Sequence, residues 1–221
     1  MDTYEGRAWV SLTPFVMAGV RPPGSPAALP PFAETNLRTY VRGRNGREGL
    51  WFLSIEVACP VMMGARVVGV PYHLGRLQLA RHGDDVAYAG YRGHGGPSYR
   101  LTVLPGRPID PTPQDMWLTS RWRAFTRRWG ALWETPVEHE PWPLRTARLD
   151  DLEETLTRAA GLPPPADEPR CTSRTESARS ASALRAPCVP NRGDRHDRSG
   201  GPVTAVPPVS DVALTLSRCE E

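Results

Sequence analysis

Two neighbouring polar residues, Tyr72 and His73, are the residues of the sequence best suited to catalysis. They follow Pro71 in the segment GVPYHLGRL, between a helix-like run and a strand-like run. A histidine could act as a general acid or base near neutral pH, and a tyrosine hydroxyl could donate to a developing oxyanion. Because adjacent residues of a strand face opposite sides, we expect only one of the two to enter a cavity. The alternative is that Tyr72 packs and His73 is hydrogen-bonded or exposed.

Further polar residues are candidates for binding a ligand. Arg38 and Tyr40 share one face of a predicted strand, where Arg38 could bind a carboxylate through two hydrogen bonds. Glu56 interrupts the apolar run FLSIEVA, and a buried carboxylate needs a partner or a raised pKa. Arg76 is a further ligand-binding candidate shortly after the Tyr72–His73 step. The alternatives are a solvated hairpin face for Arg38 and a structural ion pair for Glu56.

The composition excludes several kinds of chemistry. All 27 basic residues are arginine, and arginine stays protonated, so Schiff-base catalysis through a lysine amine is excluded. The formal net charge of +3 gives no strong indication of a nucleic-acid partner. His139 lies between Glu138 and Glu140, but this spacing matches no strong metal motif, and the four cysteines form no CxxC pair. We therefore predict no metal, no cofactor and no nucleic-acid partner.

Alternating apolar and polar residues predict a strand-rich body. Residues 37–41 alternate, Asn45 and Gly46 provide a turn, and residues 51–57 return as the second strand of a hairpin. Further strands are predicted at 8–20, 74–81, 86–92, 99–104, 132–137 and 142–149. The strands must position the polar candidates, so the fold class follows from them: an α+β or barrel-like domain with two or three helices.

Helical periodicity predicts three helices, at 61–68, 110–129 and 149–161. The second would carry arginines on a solvated side and an apolar face formed by Leu118, Trp122, Phe125 and Trp129. The third would bury a stripe of Leu149, Leu152 and Leu156. These helices are expected to pack on the outside of the strands.

Four segments in order, FAETNLRTYV, GLWFLSIEV, VPYHLGRL and VEHEPWPL, resemble the YqjF-like family over about residues 2–165. That family of unknown function belongs to the acetoacetate-decarboxylase-like superfamily. The resemblance implies a strongly curved antiparallel sheet or cone-shaped β-barrel, with helices outside and a central cavity. It places Tyr72 and His73 where acetoacetate decarboxylases hold their reactive lysine pair. It also implies that Glu34 offsets the charge of Arg38 or acts as an acid or base, with a structural ion pair as the alternative.

The resemblance also predicts how the chain is divided. Residues 1–168 would form the acetoacetate-decarboxylase-like domain, incomplete at both ends. Family members usually carry a further N-terminal segment, and Met1 corresponds to a position just after it. The last strand of the family is expected to be missing as well. From about Arg170 the apolar pattern stops. We expect residues 169–221 to be a disordered or frameshifted tail without fixed structure.

The sequence thus predicts a protein that binds a small carboxylated or keto compound in a central cavity without Schiff-base chemistry. One alternative is a lysine-independent lyase or hydrolase that uses His73 or Tyr72 with Glu34. Another is a non-functional gene fragment. The first ten residues form no signal peptide and the apolar run 57–70 is interrupted, which predicts a cytoplasmic protein without a membrane partner. The oligomeric state stays open.

Overall fold

Strands dominate the computed structural model, which describes residues 1–22, 24–43, 46–138, 142–163, 168–175, 183–184 and 210–218. The strands are β1 (Ala8–Met17), β2 (Phe32–Arg42), β3 (Glu48–Val57), β4 (Tyr72–Leu74), β5 (Arg76–His82), β6 (Asp85–Tyr91), β7 (Ser98–Pro108), β8 (Arg123–Arg128), β9 (Ala131–Glu138), β10 (Leu144–Glu154), β11 (Arg170–Thr175), β12 (Ala183–Leu184) and β13 (Ser210–Arg218). The helices are a 3-10 helix (Pro60–Val68), α1 (Pro113–Thr119) and α2 (Leu156–Ala159). The prediction of a strand-rich domain with few helices is confirmed.

The described strands form one mixed sheet in the order β12-β9-β8-β3-β2-β1-β13-β11-β10-β7-β6-β5, with β4 beside β3. β3 runs parallel to β4 and β8, and the other pairs are antiparallel. The predicted hairpins β2–β3 and β5–β6 are both present. None of the helices in the described part of the chain is long and apolar enough to cross a membrane.

The main core joins two distant parts of this sheet. Leu12 and Leu37 of the β1–β2 half pack in one cluster with Val86, Leu101 and Val103 of the β6–β7 half. β5, at one end of the strand order, also approaches β2 and β3 in its middle. The sheet must therefore curve strongly for these strands to meet. Closure into a cone-shaped barrel and the central cavity stay predictions.

The two faces of β2 serve different clusters. Leu37 faces the main core, and the hydroxyl of Thr35 hydrogen-bonds that of Tyr99 on β7 at 2.6 Å. Phe32 belongs to a second apolar cluster with residues of β1, β3 and the 3-10 helix, and Tyr40 belongs to a third with residues of α1. Alternation therefore places even-numbered residues of β2 on the face opposite the main core.

The predicted helix 110–129 is wrong beyond residue 119. Thr112 and Asp115 form a capping box that starts α1, but α1 ends at Thr119 and the chain continues as β8. Phe125 of β8 lies against Gly49 of β3, where an added Cβ would come within 2.6 Å of the ring. β8 can pair with β3 because Gly49 has no side chain, and this pairing overrides the helical spacing of the aromatic residues.

The predicted helix 149–161 is mostly strand. β10 continues to Glu154 because it pairs with β7 as far as Tyr99, and α2 covers only Leu156–Ala159. Leu149, Leu152 and Leu156 nevertheless pack into the main core, as the apolar stripe predicts. Leucines with this spacing can therefore be buried when they lie on a strand followed by one helical turn, as well as when they lie on one helix.

Three strands lie beyond residue 168, where the sequence predicts no fixed structure. β11 pairs with β10 and β13, the backbone of β13 lies between β1 and β11, and β12 pairs with β9. Ser173 of β11 is buried, 1% exposed. Residues 176–182, 185–209 and 219–221 lie outside the described part of the chain. The boundary at residue 168 and the frameshift stay predictions.

Candidate functional site

The Tyr72–His73 step forms the strand β4 beside β3, and its two side chains point to opposite faces. The parallel register pairs Tyr72 with Ile55 and His73 with Glu56. Partners in neighbouring strands face the same side, so Tyr72 joins the second apolar cluster while His73 lies on the side of Glu56. This is the separation that strand alternation leads us to expect.

Tyr72 meets Glu34, a carboxyl group buried on β2. The tyrosine hydroxyl donates to Oε2 of Glu34 at 3.4 Å, and the side chain of Asn36 also hydrogen-bonds this carboxyl group. Burial raises the pKa of Glu34 from 4.5 to about 8, against the opposing effect of the two hydrogen bonds. Glu34 is therefore mainly protonated at neutral pH and can donate a hydrogen bond as well as accept one.

The tyrosine at this site stays protonated. Burial raises the pKa of Tyr72 well above 10.0, and the neighbouring Glu34 raises it further. Ile55, Val57 and Met62 pack around it in the second apolar cluster. The pair thus consists of two neutral hydrogen-bonding groups in apolar surroundings, an arrangement that suits polarising a carbonyl oxygen.

Glu34 begins a line of polar side chains, the β2 stripe, formed by Glu34, Asn36, Arg38 and Tyr40 on one face of β2. All four are buried, with at most 7% exposed. Asn36 Oδ1 and Arg38 Nε make no hydrogen bond within the described residues, nor does Oγ1 of Thr13, the residue opposite Asn36 on β1. Buried polar atoms of folded proteins almost always have a hydrogen-bond partner, so a ligand can supply the missing partner to the β2 stripe.

The far end of the stripe opens into a cleft between β2, α1 and β11. Arg38, Tyr40, Asp115, Leu118, Thr119, Arg170 and Thr172 line this cleft. The guanidinium carbon of Arg38 lies 5.9 Å from the ring centre of Trp142, a cation–π contact. The hydroxyl of Tyr40 donates to the carbonyl of Leu118 at 3.0 Å and also hydrogen-bonds Ser11. Arg38 is therefore better placed than Tyr40 to bind a ligand.

Glu56 lies on the opposite face and has a charged partner. Arg92 donates to both carboxylate oxygens, at 2.5 and 3.1 Å, so Glu56 forms the structural ion pair that was the alternative for this residue. His73 is half-buried beside this pair. Burial lowers the pKa of His73, the positive charge of Arg92 lowers it further, and Glu56 opposes the shift. His73 can exchange protons in this environment, but only on the side away from Glu34.

The predicted site residues thus fall into three groups. Glu34, Tyr72, Arg38 and Tyr40 share one face of the sheet, whereas His73 and Glu56 share the other. Arg76 is exposed on β5. His139, whose spacing matches no strong metal motif, lies outside the described residues.

Three residues that the sequence analysis did not select contribute to these groups. Asn36 lies two positions from both Glu34 and Arg38, so strand alternation alone could have identified it. Arg92 and Arg170 meet their partners from distant positions in the chain, and the sequence carries no local signal for either contact.

Comparison with known proteins gives the family. Residues 1–177 match the model of the DUF2071 family, described as an uncharacterised conserved protein. The chain belongs to this family. Within DUF2071, the chain is 31% identical over 179 residues to the uncharacterised protein YqjF of Bacillus subtilis strain 168, covering 76% of this chain and 73% of YqjF. The predicted resemblance to the YqjF-like family is confirmed.

Two solved structures are similar to this DUF2071 protein at low identity. One is acetoacetate decarboxylase from Legionella pneumophila, with 14% identity, a TM-score of 0.44, and coverage of 98% of this chain and 87% of that one. The other is an acetoacetate decarboxylase-like enzyme from Sphingomonas wittichii RW1, with 12% identity, a TM-score of 0.42, and coverage of 96% and 89%.

Proposed function

We propose that this DUF2071 protein binds a small carboxylated keto compound along the β2 stripe. The observation that carries the proposal is the run of buried polar groups on one face of β2, in which Asn36 Oδ1 and Arg38 Nε make no hydrogen bond within the described residues. An unpaired buried polar group costs about 1–3 kcal/mol, so a ligand carboxylate that accepts a hydrogen bond from Arg38 Nε gains affinity as well as specificity. The lysine-free composition makes this binding independent of a Schiff base.

The two ends of the stripe suit different parts of the ligand. Arg38 supplies a planar, permanently charged guanidinium, which matches a carboxylate. Protonated Glu34, which accepts the hydroxyl proton of Tyr72, supplies a neutral hydroxyl donor, which matches a carbonyl oxygen. The amide NH2 of Asn36, between them, can donate to either part. The ligand would therefore lie along β2 with its carboxylate towards α1 and its carbonyl towards the 3-10 helix.

The spacing favours an oxo acid with separated functional groups. Glu34 and Arg38 are four residues apart on a strand, which corresponds to about 13 Å between Cα atoms. Long side chains lean along the strand and shorten this span, but a carboxylate bonded directly to the carbonyl would not reach both ends. We therefore expect 4-oxopentanoate to bind more tightly than pyruvate.

Calorimetric titration tests the proposal with 4-oxopentanoate, pyruvate and the methyl ester of 4-oxopentanoate. Arg38→Gln should weaken binding of the acid by about tenfold or more, because a charge-assisted hydrogen bond contributes about 1.5–3 kcal/mol. The same change should leave the weaker binding of the neutral ester unaltered. Glu34→Leu, which removes the hydroxyl donor, should weaken both.

The control variant is Arg148→Gln, which removes an exposed arginine 3.7 Å from Asp150 on β10, far from the stripe in sequence. It should bind like the wild type. The proposal is wrong if the folded protein binds none of the three compounds, or if Arg38→Gln and Arg148→Gln bind the acid equally well.

The competing enzyme hypothesis uses His73 or Tyr72 with Glu34, and these two pairs differ in geometry. Tyr72 hydrogen-bonds Glu34, whereas His73 faces the Glu56–Arg92 pair, so a lyase or hydrolase on this face would use Tyr72 with Glu34. The gene-fragment hypothesis stays a prediction. The binding function is supported by residues that share one face of β2.

A further inference from the structure

We propose that the cleft between β2, α1 and β11 is a carboxylate site in which Arg170 is a second binding residue beside Arg38. The inference rests on the proposed function in sharing Arg38, and it extends the site to a strand beyond the predicted domain boundary. It also specifies the charge of the ligand group, a single negative charge.

The cleft contains a buried cation, Arg38, whose charge is not paired within the described part of the chain. Arg38 is 7% exposed, lines the cleft and forms no ion pair with any residue the structure describes. Its Nε lacks a hydrogen bond there as well. A buried charge is stable only when it is paired and hydrogen-bonded, so this position calls for an anion.

Alternation along β11 brings a second guanidinium to the same cleft. Arg170 and Thr172, two residues apart, both line it. The side chain of Arg170 is 49% exposed, so it stands at the rim, with Nη2 3.8 Å from Oδ1 of Asp115. Arg38 at the base and Arg170 at the rim can therefore donate to one carboxylate from two sides.

The charges that line the cleft indicate a monoanion. Arg38 and Arg170 contribute two positive charges and Asp115 one negative charge, which leaves one positive charge to be neutralised. Asp115 is fixed in place because its other oxygen, Oδ2, accepts hydrogen bonds from the backbone and hydroxyl of Thr112, at 3.0 and 2.6 Å. A single carboxylate balances the cleft, whereas a dicarboxylate would leave a surplus negative charge beside Asp115.

The available space requires Arg170 to move when a ligand enters. The cavity volume is about 10 Å³, the room of one water molecule. Arg170 can turn outward at low cost, because an exposed ion pair of this length contributes little. The ligand carboxylate would then replace Asp115 as the nearest partner of Arg170.

Titration with acetate tests this site separately from the carbonyl end of the stripe, with 4-oxopentanoate as the second probe. Arg170→Gln should weaken binding of both anions by about tenfold, since it removes one charged donor. Arg170→Lys keeps the charge but loses the planar fork, so it should recover part of the loss. Arg148→Gln, a comparable exposed arginine, should change neither affinity. Thermal melting of each variant shows that it is folded.

The outcomes separate the two proposals. If Arg170→Gln binds 4-oxopentanoate as the wild type does while Arg38→Gln and Glu34→Leu do not, the cleft proposal is overturned and the proposed function stands. If acetate binding depends on Arg38 and Arg170 but 4-oxopentanoate binds no more tightly than acetate, the cleft is supported and the keto-compound proposal fails. Equal acetate binding by the wild type, Arg38→Gln and Arg170→Gln overturns the anion site itself.

Discussion

Glu34 and Glu56 lie on neighbouring strands and are both almost completely buried, yet their surroundings differ in kind. Glu34 meets two neutral groups, Tyr72 and Asn36, whereas Glu56 meets the guanidinium of Arg92 through two hydrogen bonds. The register pairs Glu56 with Thr35, so the two carboxyl groups face opposite sides of the sheet. One side holds a protonated acid and the other a charged pair.

The difference indicates that Glu56 stabilises the fold, whereas Glu34 is available to interact with a ligand. Both hydrogen-bonding oxygens of Glu56 are already used by Arg92, which ties β3 to the end of β6. Glu34 has only a long hydrogen bond of 3.4 Å from Tyr72 and the bond to Asn36, and its proton remains available. Burial alone therefore does not identify a functional acid; the charge of its partners does.

The largest expected effect comes from breaking the charged pair. Arg92→Met leaves the carboxylate of Glu56 buried without its cation, which should lower the free energy of unfolding by about 3 kcal/mol. The matched change on the other face, Tyr72→Phe, removes one neutral hydrogen bond and should lower it by about 1 kcal/mol. Urea denaturation of both variants measures the contrast.

The double variant Arg92→Met with Glu56→Gln sharpens this test. Without the charge on residue 56, the loss of Arg92 should cost much less than it does alone. If Arg92→Met and Tyr72→Phe destabilise the protein equally, the distinction between the two faces is wrong.

The second effect is the pH dependence of stability that Glu34 imposes. Its pKa is about 8 in the folded protein and near 4.5 when unfolded, so between these values the folded state binds the extra proton. The contribution of Glu34 to stability is therefore greatest at low pH and is lost as the pH rises towards 8. His73, whose pKa is lowered on folding, has the opposite effect only below about pH 6.5.

The window between pH 6.5 and 8 thus isolates Glu34. The wild type should lose about 1.5 kcal/mol of unfolding free energy across this window relative to Glu34→Gln. Denaturant unfolding at several pH values measures the difference. Parallel pH profiles for the two proteins would show that Glu34 is already ionised at neutral pH, which would remove the donor from the proposed site.

Local patterns predict the parts of this comparison that depend on neighbouring residues. The β2–β3 hairpin and the opposite orientations of Tyr72 and His73 follow from alternation, which is a property of each strand alone. The shared face of Arg38 and Tyr40 follows in the same way. What the pattern cannot supply is the partner across the sheet: Arg92 reaches Glu56 from 36 residues away.

The same limit explains the wrong helix. The aromatic residues of 110–129 have helical spacing, but Phe125 is buried because β8 lies beside Gly49, 76 positions earlier in the chain. From the sequence alone, Gly49 cannot be distinguished from a glycine in a turn. Likewise, Arg170 joins the cleft only because β11 is part of the sheet, and its own segment has no apolar periodicity that predicts a strand.

The smallest expected effect tests whether His73 belongs with Glu34. Because the two side chains lie on opposite faces, the stability changes of His73→Gln and Glu34→Gln should add to within about 0.5 kcal/mol. Tyr72→Phe combined with Glu34→Gln serves as the contacting pair and should deviate from additivity. A coupling above about 1 kcal/mol between His73 and Glu34, measured by urea denaturation of the double-mutant cycle, would place them in one network. It would make His73 a candidate acid or base beside Glu34, from which the orientation of β4 otherwise separates it.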